Sequence, residues 1–235
     1  MTIPAVSLDG PLPDPARGVF ETTLVAGGHP VALEAHLARL AASLEELYGL
    51  GVPGDARGQV AQAAQGVELG RLRLDVGPHG AASVRVADVD PAAVFPTAPV
   101  EVAVVAVPGG IGAHKWADRR LLEQAEAQVA PALPLVADAD DGALLEGSRG
   151  SLFVVRDGVV STPPADGRLL PGITRAQAIE ALRGLGVELR EEAVELAGAD
   201  EVFLTGAVRG VEPVGQASGG ITTRVAAELR ALWLG

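Results

Sequence analysis

Lys115 is the only lysine in a chain of 235 residues that holds 18 Lys and Arg side chains. Lysine is ordinarily among the commonest residues, and here guanidinium groups supply nearly every other cation. An ε-amine can lose its proton in a desolvated site and then condense with a carbonyl to form a Schiff base, which a guanidinium cannot do. A surface ion pair would use the same residue, so Lys115 alone leaves both readings open. It stands in His114-Lys115-Trp116-Ala117-Asp118-Arg119-Arg120.

The commonest protein use of a Schiff-base lysine is to hold pyridoxal 5′-phosphate (PLP). That cofactor asks for a carboxylate at its pyridine nitrogen and for a helix N-terminus and an arginine at its phosphate. Glu146, in Leu144-Leu145-Glu146-Gly147-Ser148-Arg149, follows two leucines. A carboxylate in apolar surroundings is costly unless a cation joins it; a pyridinium or Arg149 would each serve. Gly172-Ile173-Thr174 follows Pro171 and opens a helix whose free N–H groups would accept an anion. Thr205-Gly206-Ala207 ends an apolar strand and offers a second set of backbone donors, and Arg39 could reach a phosphate. Each segment taken singly also fits a bland role: a turn glutamate, an ordinary capped helix, an exposed arginine.

Alternation and helical periodicity place these residues on elements. Strands are expected at 18–25, 71–76, 83–89, 101–107, 152–155, 159–162, 187–190 and 201–205, with another starting at 135–137. Helices are expected at 34–47, 56–65, 116–129, 171–185 and 222–232. Residues 1–16 read as irregular. Pro108-Gly109-Gly110-Ile111-Gly112 suggests a boundary, so the chain divides into a small α+β unit over 1–107, a linker over 108–113, and a larger α/β unit over 114–235 that carries Lys115.

The totals narrow the function. A net charge of −12 argues against a nucleic-acid partner. There is no cysteine and no histidine pair at ligand spacing, so neither a disulfide framework, a thiolate nor a metal site is expected. No basic, apolar leader precedes residue 20, and no apolar run is long enough to span a bilayer. A cytoplasmic enzyme with a small-molecule substrate is the expectation.

Taken in order, the segments resemble the fold-type IV PLP enzymes, also called class IV aminotransferases. They are Val19-Phe20-Glu21-Thr22, His36-Leu37-Ala38-Arg39-Leu40, the Lys115 stretch, Asp140-Asp141-Gly142 through Arg149, Asp157 through Pro164, Leu170-Pro171-Gly172-Ile173-Thr174-Arg175, and Glu201-Val202-Phe203-Leu204-Thr205. The resemblance covers most of the chain. It implies an α/β (α+β) fold of two domains, like D-amino-acid aminotransferase, with PLP in the cleft and a homodimer as the working unit. It implies Lys115 as the Schiff-base lysine and proton carrier and Glu146 as the partner of the pyridine nitrogen. Arg39, the Ile173 and Thr174 N–H groups and the Gly206-Ala207 turn would hold the phosphate.

Three departures bear on the substrate. Ala16-Arg17-Gly18 stands where relatives often have Gly-Asp-Gly, and Ala207 stands where branched-chain enzymes have threonine. Arg119 or Arg120 occupies the region where aminotransferases tend to carry a tyrosine, and either could hold a substrate carboxylate. The resemblance leans to the 4-amino-4-deoxychorismate lyase branch, with branched-chain or D-amino-acid transamination and a non-catalytic relative of the fold as alternatives.

Overall fold

A computed structural model describes residues 6–8, 10–215 and 219–235. Two sheets organise the chain. The smaller has the order β3-β2-β4-β5 and is antiparallel throughout. Its strands are β2 (Val19–Ala26), β3 (His29–Pro30), β4 (Leu69–Val76) and β5 (Ala82–Asp88). Helices α1 (Leu33–Tyr48) and α2 (Ala56–Ala64) cover one face. Leu37, Leu40 and Leu44 recur at helical spacing on α1 and pack against Val19, Val25, Leu72, Leu74 and Val76. Gly49, at φ 65°, ends α1 in the left-handed conformation that glycine adopts without a Cβ penalty.

The larger sheet has nine strands. Its path runs β1 (Val6–Ser7), β6 (Val102–Val107), β7 (Leu133–Asp138), β8 (Leu144–Gly147), β9 (Gly150–Arg156), β10 (Val159–Thr162) and β11 (Leu189–Glu191). β9 also pairs along its length with β12 (Glu201–Gly206), which pairs with β13 (Gly210–Val214). Phe153 and Phe203, directly opposite on β9 and β12, stack at 4.9 Å. Helices α3 (Arg120–Val129), α4 (Ile173–Gly184) and α5 (Gly220–Leu234) flank this sheet. Every residue of β7 is buried, as expected of a central strand with both faces covered.

The mixed α/β architecture with two sheets agrees with the expected fold, but two local expectations are corrected. β6, expected within the N-terminal unit, pairs in parallel with β1 and β7 of the larger sheet, so the sheets part between Asp88 and Val102 rather than at 108–113. The helix expected at 116–129 begins only at Arg120, because the Asp118 carboxylate accepts the N–H groups of Asp14 and Arg120 and holds the preceding chain in a turn. Lys115 therefore lies ahead of α3, in a bent segment that bridges to β2 of the small sheet. The Phe20 N–H donates to the Lys115 carbonyl at 2.9 Å, and Val19 bridges to Trp116.

Candidate active site

Pairing with β2 is what aims Lys115. Its side chain lines a cavity between the two sheets, with the ammonium group 4.9 Å from the Phe20 ring centre. Low-dielectric surroundings pull its pKa down to about 8, and the Arg39 guanidinium adds to the fall while Glu21 opposes it. Across the cavity stands Glu146, on the short strand β8. Burial pushes its carboxyl up to about 7, partly offset by the Leu170 N–H, which donates to Oε1 at 3.2 Å. Arg149, which the sequence offered as a partner for Glu146, turns instead to Glu212 at 2.7 Å.

Arg39 reaches the same cavity from α1 and is fixed from behind. Its Nε and Nη2 donate to the two oxygens of Glu21 at 2.8 and 2.7 Å, and Nη1 donates to the Pro171 carbonyl at 2.8 Å. Glu21 itself is buried on β2, with His36 Nδ1 at 2.7 Å. Hydrogen bonds from His36 and Arg39 outweigh the desolvation of Glu21 and hold its pKa near 2. A guanidinium has five N–H donors, so two of those on Arg39 remain for a ligand.

The start of α4 supplies further donors. Gly172 is the cap residue, no side chain caps the helix, and the first i→i−4 bond runs from Ala176 to Gly172 at 3.1 Å. The N–H groups of Ile173 and Thr174, which line the cavity, precede that bond. Gly206 and Ala207 line the same cavity. A Cβ on Gly206 would sit 2.8 Å from the Arg149 carbonyl oxygen, so the close backbone approach there requires glycine.

Eight of the expected residues thus line one cavity: Arg39, Lys115, Arg119, Glu146, Ile173, Thr174, Gly206 and Ala207. Arg120 does not. Its guanidinium folds back on Asp118 at 2.6 Å and its side chain is about half exposed. Sequence reasoning gave no role to the hydroxyls of Ser148 and Thr205. Their hydroxyl oxygens are buried in the cavity wall without a hydrogen-bond partner. Buried polar atoms are nearly always satisfied, so two orphans lining the same cavity as an uncapped helix start fit a site built for a polar ligand. An anion at the helix start, a cation at Glu146 and a carbonyl at Lys115 are the complement of this lining, and phosphate, pyridinium and aldehyde are the three groups of PLP. Among the described residues no cluster of acidic or histidine side chains could hold a metal ion, and no helix is long and apolar enough to cross a membrane.

Comparison with known proteins agrees. A branched-chain-amino-acid aminotransferase of Salmonella typhimurium is 42% identical over 82 residues, 34% of this chain. That match spans only 26% of the Salmonella enzyme. A hypothetical aminotransferase from Mycobacterium tuberculosis, in its α-ketoglutarate- and PMP-bound form, superposes with a TM-score of 0.81 at 23% identity, over 93% of this chain and 89% of that one. Its PLP-bound form superposes at 0.79. A protein provisionally assigned as a 4-amino-4-deoxychorismate lyase superposes at 0.76 with 26% identity, over 94% of each chain. The family model for amino-transferase class IV matches residues 18–217. The chain belongs to the class IV aminotransferases, a family of PLP-dependent enzymes.

Proposed function

We propose that this enzyme acts as a 4-amino-4-deoxychorismate lyase, releasing 4-aminobenzoate and pyruvate. The observation that carries the reading is Arg119, which lines the cavity beside Lys115 where a transaminase of the family would carry a tyrosine. The single tyrosine of the chain, Tyr48, is engaged elsewhere and donates to the Pro15 carbonyl at 2.6 Å. A guanidinium there suits a substrate carboxylate, and the likeness to a provisionally assigned lyase points the same way.

Arg39, the Ile173 and Thr174 N–H groups and the Gly206-Ala207 turn would hold the PLP phosphate, Glu146 would face the pyridine nitrogen, and Lys115 would bind the aldehyde carbon. Bound PLP supplies an electron sink for negative charge at the substrate carbon. The chain does the rest. With its pKa near 8, the Lys115 amine is populated in its basic form close to neutral pH and takes the proton from the amine-bearing carbon. The C–O bond to the enolpyruvyl group then breaks, its electron pair leaves on oxygen, and the ring becomes aromatic. Returning the proton to the departing group completes pyruvate without a water molecule or a second substrate. A cation at Glu146 lowers its carboxyl from about 7, and the resulting carboxylate keeps that cation in place. The working unit in this reading is a homodimer, checked by light scattering.

The purified holoenzyme given 4-amino-4-deoxychorismate should yield 4-aminobenzoate and pyruvate in equal amounts. Transfer of amino groups from an amino-acid panel to 2-oxoglutarate, with no pyruvate formed, overturns the reading in favour of transamination. The 42% identity to a branched-chain enzyme over part of the chain favours that alternative. Failure to take up PLP at all would return the chain to a non-catalytic role.

A further inference from the structure

A second chamber of about 550 Å³ opens beside the cavity and shares Lys115, Arg119, Ser148, Arg149 and the Gly206-Ala207 turn with it. Its remaining cations are Arg71, Arg73, Arg85 and Arg209. Six arginines and the only lysine therefore face one space in a chain of net charge −12, and no carboxylate lines it. Among the described residues three carboxylates pair with these guanidiniums. Asp75 pairs with Arg73 at 2.6 Å and with Arg85 at 3.1 Å, Glu212 pairs with Arg149 and Arg209 at 2.7 Å each, and Glu126 lies 3.4 Å from Arg119. Five of the six guanidiniums thus share three carboxylates, and among the described residues Arg71 pairs with none of them.

The register sets two guanidiniums side by side with Asp75 as their shared counter-charge. Arg73 on β4 lies directly opposite Arg85 on β5, and Thr22 on β2 completes the row. Arg71 stands two residues along β4 on the same face. Like charges directly opposite in an antiparallel pair are destabilising. Arg73 also stacks over the Phe20 ring at 3.6 Å, which holds its guanidinium at the chamber wall.

We infer that the substrate carries at least one carboxylate beyond any beside the reacting carbon, and that the Arg71–Arg73–Arg85 row receives it while Arg119 faces the nearer end. This deepens the lyase reading and rests on the same cavity. The planar fork of a guanidinium matches a carboxylate in two parallel hydrogen bonds, and a row of three accommodates carboxylates carried on a ring.

The test is calorimetric, on the PLP-loaded enzyme, with isophthalate, benzoate and inorganic phosphate as probes. Isophthalate should bind at least about tenfold tighter than benzoate, and the preference should collapse in Arg71→Ala/Arg85→Ala while the cofactor absorbance stays as it was. Arg71→Lys, which keeps the charge but loses the fork, should lie between. Arg57→Ala removes the same charge on α2, where Arg57 pairs with Glu34, and should keep the preference. Equal binding of benzoate and isophthalate, an unchanged preference in the double variant, or phosphate binding as tightly as isophthalate would each overturn the inference. Catalysis reads the lyase proposal separately. A selective dicarboxylate site without 4-aminobenzoate formation sinks the lyase and keeps the row. A lyase whose KM is unchanged in the double variant does the reverse.

Discussion

Two groups of buried charge lie within one molecule and are treated in opposite ways. Under α1, Glu21 is closed off by His36 and Arg39, with its oxygens engaged at 2.7–2.8 Å. In the cavity, Lys115 and Glu146 each sit in low-dielectric surroundings that disfavour their charges, and Ser148 and Thr205 have no partner at all. The first group satisfies itself and positions Arg39. The second is left open, and an open set of buried polar groups is stable only with something to complete it. Ligand binding to the native state alone then adds stability.

The largest effect should come from removing the amine. Lys115→Ala should cost at least about 10³-fold in turnover, the range seen when a nucleophile of a catalytic unit is lost, and should abolish the cofactor absorbance that borohydride quenches in the parent. Retained turnover would break the contrast at its centre.

Breaking the closed group should be mainly structural. Glu21→Gln leaves Arg39 and His36 without their carboxylate and should destabilise the fold by about 3 kcal/mol, as removal of one member of a buried pair does. The parent's contribution from Glu21 carries a pH signature. Its folded pKa lies near 2, below the ordinary 4.5, so the stabilisation is present above 4.5 and lost as pH falls toward 2. Denaturant melts of parent and variant across that window should converge at the acid end.

The open group should behave in the other sense. In cofactor-free protein, Lys115→Met should raise stability by about 2 kcal/mol at pH 7. The folded pKa near 8 lies below the ordinary 10.5, so the cost of the buried ammonium is full below 8 and disappears as pH rises to 10.5. Glu146→Gln should raise it by about 1–2 kcal/mol above pH 7, and the gain should vanish as acidification to 4.5 neutralises the parent's carboxyl. If both variants destabilise the protein instead, the cavity is as self-satisfied as the cluster under α1.

The smallest effect sharpens the contrast at its edge. Arg120→Ala should leave turnover within about twofold, because the side chain is committed to Asp118 and does not line the cavity. Arg119→Ala should raise KM by roughly tenfold, the loss of one charge-assisted contact. Steady-state kinetics of the two single variants separate the neighbours.

Much of this site was legible before any coordinates. A lone lysine in an arginine-rich chain, a carboxylate after two leucines and a Pro-Gly opening to a helix are local signals, and each reports a chemistry its residue type alone can perform. Arg119 and Arg120 show where such reading stops. They are adjacent and identical in type, and only the Asp118 turn that delays α3 sends one to the cavity and the other away. Ser148 and Thr205 gave no signal, because a hydroxyl is remarkable only when nothing nearby bonds it. β13, with Glu212 and Pro213 in a fully buried run, does not read as a strand until β12 and two arginines are in place to accept it.

The sequence by itself determined the chemistry available: one amine that can lose its proton, the carboxylate and backbone donors to complement it, and helices and strands whose apolar spacing follows from periodicity. Tertiary structure alone decided which of these meet. It laid Lys115 along β2, moved β6 into the larger sheet, and gathered six arginines from β4, β5, the β8–β9 and β12–β13 turns and the segment before α3 around one chamber. The reason is range: a propensity or a cap is settled within a few residues, whereas strand pairing joins positions about a hundred apart, and no local pattern encodes which edge a segment will find.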